Sequence, residues 1–234
     1  MIKDTINRLH SELPATVKLV AVSKFHPFEA IEEAYAAGQR AFGESRPQEL
    51  LAKVKRLEEI RLERGEPDYM SDIEWHFIGH LQTNKLKMVL PYVSLIQSVD
   101  SIRLLEAIDR WGSANNKVLN VLLECFISSD ETKQGFSQEE LKDILSSDTH
   151  YSNVKICGLM GMATFTDDKD VISSDFQRLV NMGELLRDMA GKSPVLTSEC
   201  NELSMGMSDD YPLAVSMGST IVRIGSMIFG ERSY

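Results

Sequence analysis

The chain has 234 residues and a formal net charge of −10, because 35 acidic side chains outnumber 25 lysines and arginines, and this negative charge argues against a nucleic acid partner. At 43% hydrophobic and 26% charged residues, the composition is that of a globular protein and excludes disordered and collagen-like chains. Three widely spaced cysteines and the lack of a long apolar run argue against a disulfide framework, a secretory signal and a membrane span, so we expect a reduced, cytoplasmic protein.

Strand-like and helix-like hydrophobic patterns alternate along the chain. An amphipathic helix is predicted over residues 1–13, before the first strand. Eight buried strands follow, at residues 18–23, 41–44, 75–79, 95–99, 118–127, 155–162, 195–198 and 220–225. Helical patterns lie between them, and the helix after the fifth strand begins with a capping-box signature, Ser137 with Glu140.

This alternation predicts an α/β fold with a parallel sheet covered by helices, and eight strands are the number that closes a (β/α)₈ TIM barrel. An open, doubly wound sheet is the alternative topology. No linker, repeat or low-complexity tract divides the chain, so we expect one domain over residues 1–234, with an extra N-terminal helix.

Lys24 is the first candidate for chemistry. It follows a buried strand directly, and barrel enzymes carry their active sites at the carboxyl ends of the strands. Partial desolvation at this place favours the neutral amine, the nucleophile that forms a Schiff base. A solvated loop lysine is the alternative interpretation.

Two further segments have the features of an anion site. Glu202–Ser208 contains small and hydroxylic residues, and it precedes a helix predicted over residues 209–217. The alternative interpretation of this segment is a tight turn from strand to helix, with Ser208 as the N-cap. In the other segment, Arg223 and Gly225 share one strand face, and Gly225 with Ser226 allows backbone amides to approach a ligand. Barrels often bind phosphate with the loops after strands seven and eight, so the two segments indicate one phosphate site.

A metal site is not expected. His76 and His80 are four residues apart in a predicted strand, which separates their side chains, and no third ligand lies near them in the sequence. A lysine and a phosphate site in one barrel mouth fit either pyridoxal 5′-phosphate (PLP) or a phosphorylated sugar processed by a lysine-dependent aldolase. Residue types alone do not separate these two ligands.

Five motifs in order along the chain resemble those of the pyridoxal phosphate homeostasis protein family. They are Leu19–Lys24, Gly38–Glu44, Trp75–Lys85, Leu203–Ser208 and Val222–Gly230. The resemblance implies a barrel similar to the N-terminal domain of alanine racemase, with PLP held as a Schiff base on one lysine of the first motif. The match departs after Glu44, where Ser45 and Arg46 stand in place of the family's Asn-Tyr, so any cofactor contact by that asparagine falls to Ser45.

The resemblance also assigns the cofactor-binding residues. Lys24 would carry PLP, while Ser204, Gly225 and Ser226 would bind its phosphate. Arg223 matches the arginine that faces the pyridine nitrogen in the racemase. A permanently charged guanidinium there keeps the ring nitrogen unprotonated, which disfavours carbanion chemistry.

The function that the resemblance implies is intracellular PLP homeostasis without significant enzymatic activity, with PLP-dependent apoenzymes as recipients of the cofactor. The racemase has a second domain and a tyrosine base from its partner, whereas the barrel accounts for the 234 residues here and leaves the cofactor open to water. A low-efficiency PLP-dependent amino-acid racemase is the alternative. We expect a monomer, because the predicted helices leave no large apolar stripe.

Overall fold

The computed structural model describes residues 1–129, 134–196 and 200–230, and eight parallel strands form a closed barrel at its centre. The strands are β1 (Lys18–Val22), β2 (Ala41–Glu44), β3 (Glu74–Phe77), β4 (Leu95–Val99), β5 (Leu119–Cys125), β6 (Val154–Gly161), β7 (Glu202–Ser204) and β8 (Ile221–Ile224). Each strand pairs with the next, and β8 pairs with β1. The predicted (β/α)₈ barrel is confirmed, and the open sheet is wrong.

Helices surround the barrel. They are α1 (Ile2–Glu12), α2 (Phe28–Ala36), α3 (Pro47–Arg64), α4 (Leu86–Val89), α5 (Ile102–Asn115), α6 (Gln138–Leu145), α7 (Lys169–Met189), α8 (Tyr211–Ser216) and α9 (Ser226–Phe229), with a 3₁₀ turn over Thr83–Lys85. The extra N-terminal helix is confirmed as α1, which buries Ile6 and Leu9 in the core. In the described ranges, no helix combines the length and the apolar character that crossing a membrane requires.

The hydrophobic core has an outer layer and an inner layer. The outer layer packs the helices against the strands, and the inner layer fills the barrel interior with Val20, Ala41, Leu95, Leu122, Met160 and Ile221. Because strands buried on both faces carry apolar residues in succession, most of them are readable from the sequence as continuous apolar runs.

The seventh strand is the exception, and its predicted position is wrong. Val195 and Leu196 are buried but lie outside any strand, and the other two residues of that prediction, Thr197 and Ser198, lie outside the described residues. The structure forms β7 from Glu202 to Ser204 instead. The first three residues of the loop predicted over Glu202–Ser208 therefore belong to β7, and the actual loop begins at residue 205.

Candidate functional site

A cavity of about 540 Å³ opens at the carboxyl end of the barrel. Four of the five residues predicted to bind the cofactor line it, namely Lys24, Arg223, Gly225 and Ser226. The strand register explains why they meet: β1 and β8 run side by side, with Ala21 opposite Ile224, so the loops that follow them leave the barrel together.

The loop after β1 presents Lys24 to this cavity. Side chains alternate along a strand, so Lys24 continues the inward series of Val20 and Val22. The Ser23 hydroxyl instead bonds Glu44 of β2, which also contacts Lys53 of α3. Two backbone bonds hold the loop, from the Ser23 amide to the Gly43 carbonyl at 3.1 Å and from the His26 amide to the Ser23 carbonyl at 3.1 Å. Lys24 therefore lies at the mouth of the barrel, where the sequence predicted it.

The loops after β7 and β8 meet in a pair of serine hydroxyls. The Ser226 hydroxyl donates to the Ser208 hydroxyl at 3.0 Å, and the Met227 amide donates to the same oxygen at 3.4 Å. Ser226 is the first residue of α9, a helix that the sequence analysis missed, and the amides of a first helical turn have no acceptor within the helix. Ser208 is not the N-cap of α8, since that position belongs to Asp210.

Ser204 lies apart from the other predicted site residues. Its side chain is fully buried in the barrel interior and does not line the cavity. Its hydroxyl accepts a hydrogen bond from Nη1 of Arg223 at 2.7 Å and donates to Oε1 of Gln97 at 2.6 Å. The structure therefore gives Ser204 contacts to an arginine of the cavity, and none to the cavity itself.

Arg223 lines the cavity and is itself buried. Nη1 also donates to the Ser204 carbonyl at 2.8 Å, and Nη2 donates to the Gly161 carbonyl at 3.1 Å. Burial lowers the pKa of this guanidinium to about 10, and it stays charged at neutral pH.

Below Arg223 a chain of polar groups continues through the barrel. From Ser204 it passes to Gln97, whose Nε2 lies 2.8 Å from Nδ1 of His76. Burial lowers the pKa of His76, which favours the neutral imidazole that can accept this bond. Gln97 was not predicted as part of the site, and its signal was a long polar side chain inside a strand that is otherwise apolar except for Ser98.

Acidic groups accompany the cations. Burial raises the pKa of Glu124, on β5, to about 7, with a further rise from Asp100 and an opposing effect of Arg223. Burial also raises the pKa of Asp210, whose Oδ1 accepts the Met207 amide at 2.5 Å. Glu124 was missed as well, because it lies inside a predicted strand whose neighbouring residues are apolar.

The remaining candidates take other partners. His76 faces Gln97, whereas His80 is largely exposed and bonds Asp100 at 2.9 Å, and no cluster of three or more metal-ligating side chains occurs in the described part of the chain. Ser45 and Arg46 do not line the cavity, and the Arg46 guanidinium covers the Phe25 ring at 4.5 Å.

Comparison with known proteins gives a consistent set of relatives. The family model described as "Alanine racemase, N-terminal domain" matches residues 1–233. The pyridoxal phosphate homeostasis protein of Aquifex aeolicus (strain VF5) is 38% identical over 218 residues, covering 93% of this chain and 88% of that protein. The structure of PipY from Synechococcus elongatus PCC7942 with PLP bound aligns with a TM-score of 0.84 at 35% identity, covering 98% of this chain and 100% of PipY.

More distant structures share the fold alone. Alanine racemase from Corynebacterium glutamicum aligns with a TM-score of 0.68 at 16% identity. The alignment covers 100% of this chain and 61% of the racemase, so the barrel is the part that the two have in common.

Proposed function

The chain belongs to the pyridoxal phosphate homeostasis protein family, and we propose that it binds PLP in the cavity at the carboxyl end of the barrel and takes part in intracellular PLP homeostasis. One observation carries this proposal: Lys24, Arg223, Ser208 and Ser226 line a single cavity, so an amine, a guanidinium and two hydroxyls belong to its lining residues. When bound, PLP supplies an electrophilic aldehyde and an anionic phosphate, which are the groups that this set of donors fits.

The neighbouring strands suggest how the ligand is oriented. In PLP the aldehyde and the phosphate-bearing arm are adjacent substituents of the ring, and the ring nitrogen lies opposite the aldehyde. Lys24 and Ser226 follow adjacent strands, which suits a Schiff base on Lys24 with the phosphate held by Ser208, Gly225 and Ser226. Arg223 would then face the ring nitrogen.

In this proposal Ser204 acts on the ligand indirectly. Its hydroxyl and its carbonyl both accept a hydrogen bond from Nη1 of Arg223, and these two bonds fix the position of the guanidinium in the barrel. The phosphate contact expected of Ser204 is thereby assigned to Ser208, whose hydroxyl is at the mouth of the cavity.

We propose that the protein holds PLP without significant turnover. A charged guanidinium at the ring nitrogen weakens the ring as an electron acceptor. Racemisation also needs acid–base groups on both faces of the substrate, and the tyrosine base of the racemase has no counterpart among the cavity-lining residues that the structure describes, although His26 and Asp210 are among them. A low-efficiency amino-acid racemase is the activity that an assay must test.

We further propose partners, an oligomeric state and a cellular location for the protein. PLP-dependent apoenzymes are the proposed recipients, with the chain acting as a monomer of one domain. A cytoplasmic location fits its three cysteines, which form no disulfide with one another. Sedimentation that shows a stable dimer would contradict the monomer.

The near-visible absorbance of the purified protein tests the proposal. With PLP added, the wild type should turn yellow, and borohydride should leave a phosphopyridoxyl group on Lys24 that peptide mass mapping locates. Lys24→Ala should stay colourless. Lys55→Ala, which replaces an exposed lysine on the outer face of α3, should behave like the wild type. A wild type that stays colourless with PLP would contradict the proposal and favour the aldolase alternative.

An amino-acid racemisation assay tests the absence of turnover. We expect no racemisation of added amino acids above the rate of free PLP. A rate of about 1 s⁻¹ or more, which is typical of enzymes, would make the protein a racemase.

A further inference from the structure

A buried cluster of charged groups lies behind the loop that carries Lys24. Its centre is Lys53 of α3, which is only 5% exposed. The Lys53 amine donates to Oε1 of Glu44 at 2.7 Å, to Oε1 of Glu49 at 2.9 Å and to the carbonyl of Ser23 at 2.8 Å. None of these four residues lines the cavity, so the cluster lies outside the ligand site.

The cluster bonds to the backbone on both sides of Lys24. On one side, Lys53 holds the Ser23 carbonyl, and the Ser23 hydroxyl donates to Oε1 of Glu44 at 2.6 Å. On the other side, the amide of Phe25 donates to Oε1 of Glu49 at 2.5 Å. The starting point of the Lys24 side chain is therefore fixed by groups of β2 and α3.

The backbone that these bonds hold is strained. Phe25 has φ +68°, in the left-handed region that a residue with a side chain rarely adopts. Such a conformation persists only where the surroundings determine it, and it is most frequent at functional sites. The hydrogen bond from the Phe25 amide to Glu49 is one contact that imposes this conformation, and Glu49 is in turn held by Lys53.

Charge makes the lysine central to the cluster. Glu44 is fully buried, and its Oε2 has no hydrogen-bond partner among the residues that the structure describes. Burial raises the pKa of this carboxyl against the opposing effect of Lys53. Without the cation, two carboxyl groups would be left facing each other and the Ser23 carbonyl. The cluster would then separate, and the loop after β1 would keep its backbone bonds but lose its attachment to α3.

We propose that Lys53 is a positioning residue for Lys24: through Glu44, Glu49 and Ser23 it holds the strained turn that aims the Lys24 amine into the cavity. This inference rests on the proposed function, because it concerns the reaction of Lys24 with PLP. Lys53 itself does not touch the ligand.

The test compares Lys53→Met with Lys53→Arg and with Lys55→Met, which removes the same charge from the exposed face of α3. The first readout is the rate at which borohydride-trapped PLP appears on Lys24. The second is the affinity for pyridoxine 5′-phosphate, which has the phosphate and the ring but no aldehyde. The third is hydrogen exchange of residues 23–26 in the protein without ligand.

We expect Lys53→Met to slow adduct formation at least about tenfold, since a reacting group displaced by about 1 Å loses about that much or more. Its affinity for pyridoxine 5′-phosphate should stay within about twofold of the wild type, because a misplaced lysine leaves the phosphate and ring contacts in place. Exchange at residues 23–26 should become faster, Lys53→Arg should recover most of the rate, and Lys55→Met should match the wild type.

A folded Lys53→Met that forms the adduct at the wild-type rate would overturn the inference. If that variant does not fold, Glu49→Ala replaces it, since Glu49 is partly exposed and accepts the Phe25 amide. An unchanged rate in Glu49→Ala would equally count against the inference. A wild type that binds no PLP would instead contradict the proposed function, and the exchange at residues 23–26 would still test the attachment of the loop.

Discussion

Ser204 and Ser226 carry the same hydroxyl group, but their surroundings give them different parts in the site. Ser204 is enclosed in the barrel between Arg223 and Gln97, whereas Ser226 opens α9 at the edge of the cavity. A hydroxyl enclosed among protein donors and acceptors acts on their orientation, and one at a cavity edge can bond to a ligand. At the residue scale, burial and partners therefore decide the role.

Ser226→Ala separates phosphate recognition from recognition of the ring. We expect the affinity for PLP to fall about five- to tenfold, which corresponds to the loss of one hydrogen bond of about 1 kcal/mol. The affinity for pyridoxal, which lacks the phosphate, should not change. Titration of both ligands measures the ratio, with Ser216→Ala on the outer helix α8 as the control.

Equal losses for PLP and pyridoxal would contradict a phosphate contact by Ser226. They would mean that the substitution disturbs the whole cavity rather than one part of the ligand.

At the scale of elements, close approach between loops limits what the sequence tolerates. A Cβ built on Gly79 would lie 2.2 Å from the Ser45 carbonyl oxygen, whereas one on Gly65 would meet nothing within 4 Å. Gly65 instead ends α3 with φ +66°, so an alanine there meets only the cost of a left-handed backbone.

The two glycines thus predict different losses. Gly65→Ala should lower the free energy of unfolding by about 1 kcal/mol. Gly79→Ala should lower it by several times as much, because the backbone after β2 or after β3 must move. Urea denaturation of both variants gives the comparison, and equal losses would show that the two loops separate easily.

The cap of α6 gives a smaller, local effect. Ser137 and Glu140 form the reciprocal capping box that the sequence predicted, with bonds of 3.1 Å and 2.8 Å. Ser137→Ala should reduce the free energy of unfolding by about 1 kcal/mol. Ser146→Ala, an exposed residue at the other end of the same helix, is the matched control, and a loss as large in the control would contradict a capping effect.

Most elements were predictable from the sequence because their apolar residues follow the period of a strand or a helix. β7 was not predictable, since Glu202 and Ser204 are polar and only Leu203 between them is apolar. Val195 and Leu196 have the apolar pattern of a strand, but they pack in the outer layer of the core without forming one. The site followed the same rule. Lys24 was found from its place after a strand, but Lys53 was not, because its contacts come from residues that only the fold brings together.

At the scale of the whole molecule, buried carboxyl groups shape the dependence of stability on pH. The pKa of Glu124 is raised from 4.5 to about 7, chiefly by burial. Below pH 4.5 the side chain is protonated in the folded and the unfolded chain, so the favourable contribution of the raised pKa to the free energy of unfolding is fully present. As the pH rises through 7 the contribution is lost, because the unfolded chain releases its proton first, with a total change of roughly 3 kcal/mol.

Glu124→Gln should remove this dependence. We expect the variant to gain stability relative to the wild type as the pH rises from 5 to 8, measured by denaturation at each pH. Glu74 does not interfere in that range, because its pKa is lowered to about 2, first by a hydrogen bond from His76 and also by Lys18. Its contribution is present above pH 4.5 and is lost only as the pH falls through 2. A constant difference between variant and wild type would contradict the raised pKa of Glu124.

The pairing of β8 with β1 has a consequence for synthesis of the chain. Lys24 is translated early and Ser226 late, yet the cavity needs both, and their strands meet only in the closed barrel. A nascent chain on the ribosome therefore has no complete ligand site until β8 and α9 have emerged. A ligand that binds only the closed barrel stabilises it by mass action. PLP would therefore stabilise the pairing of the first and the last strand, and only in chains whose synthesis is finished.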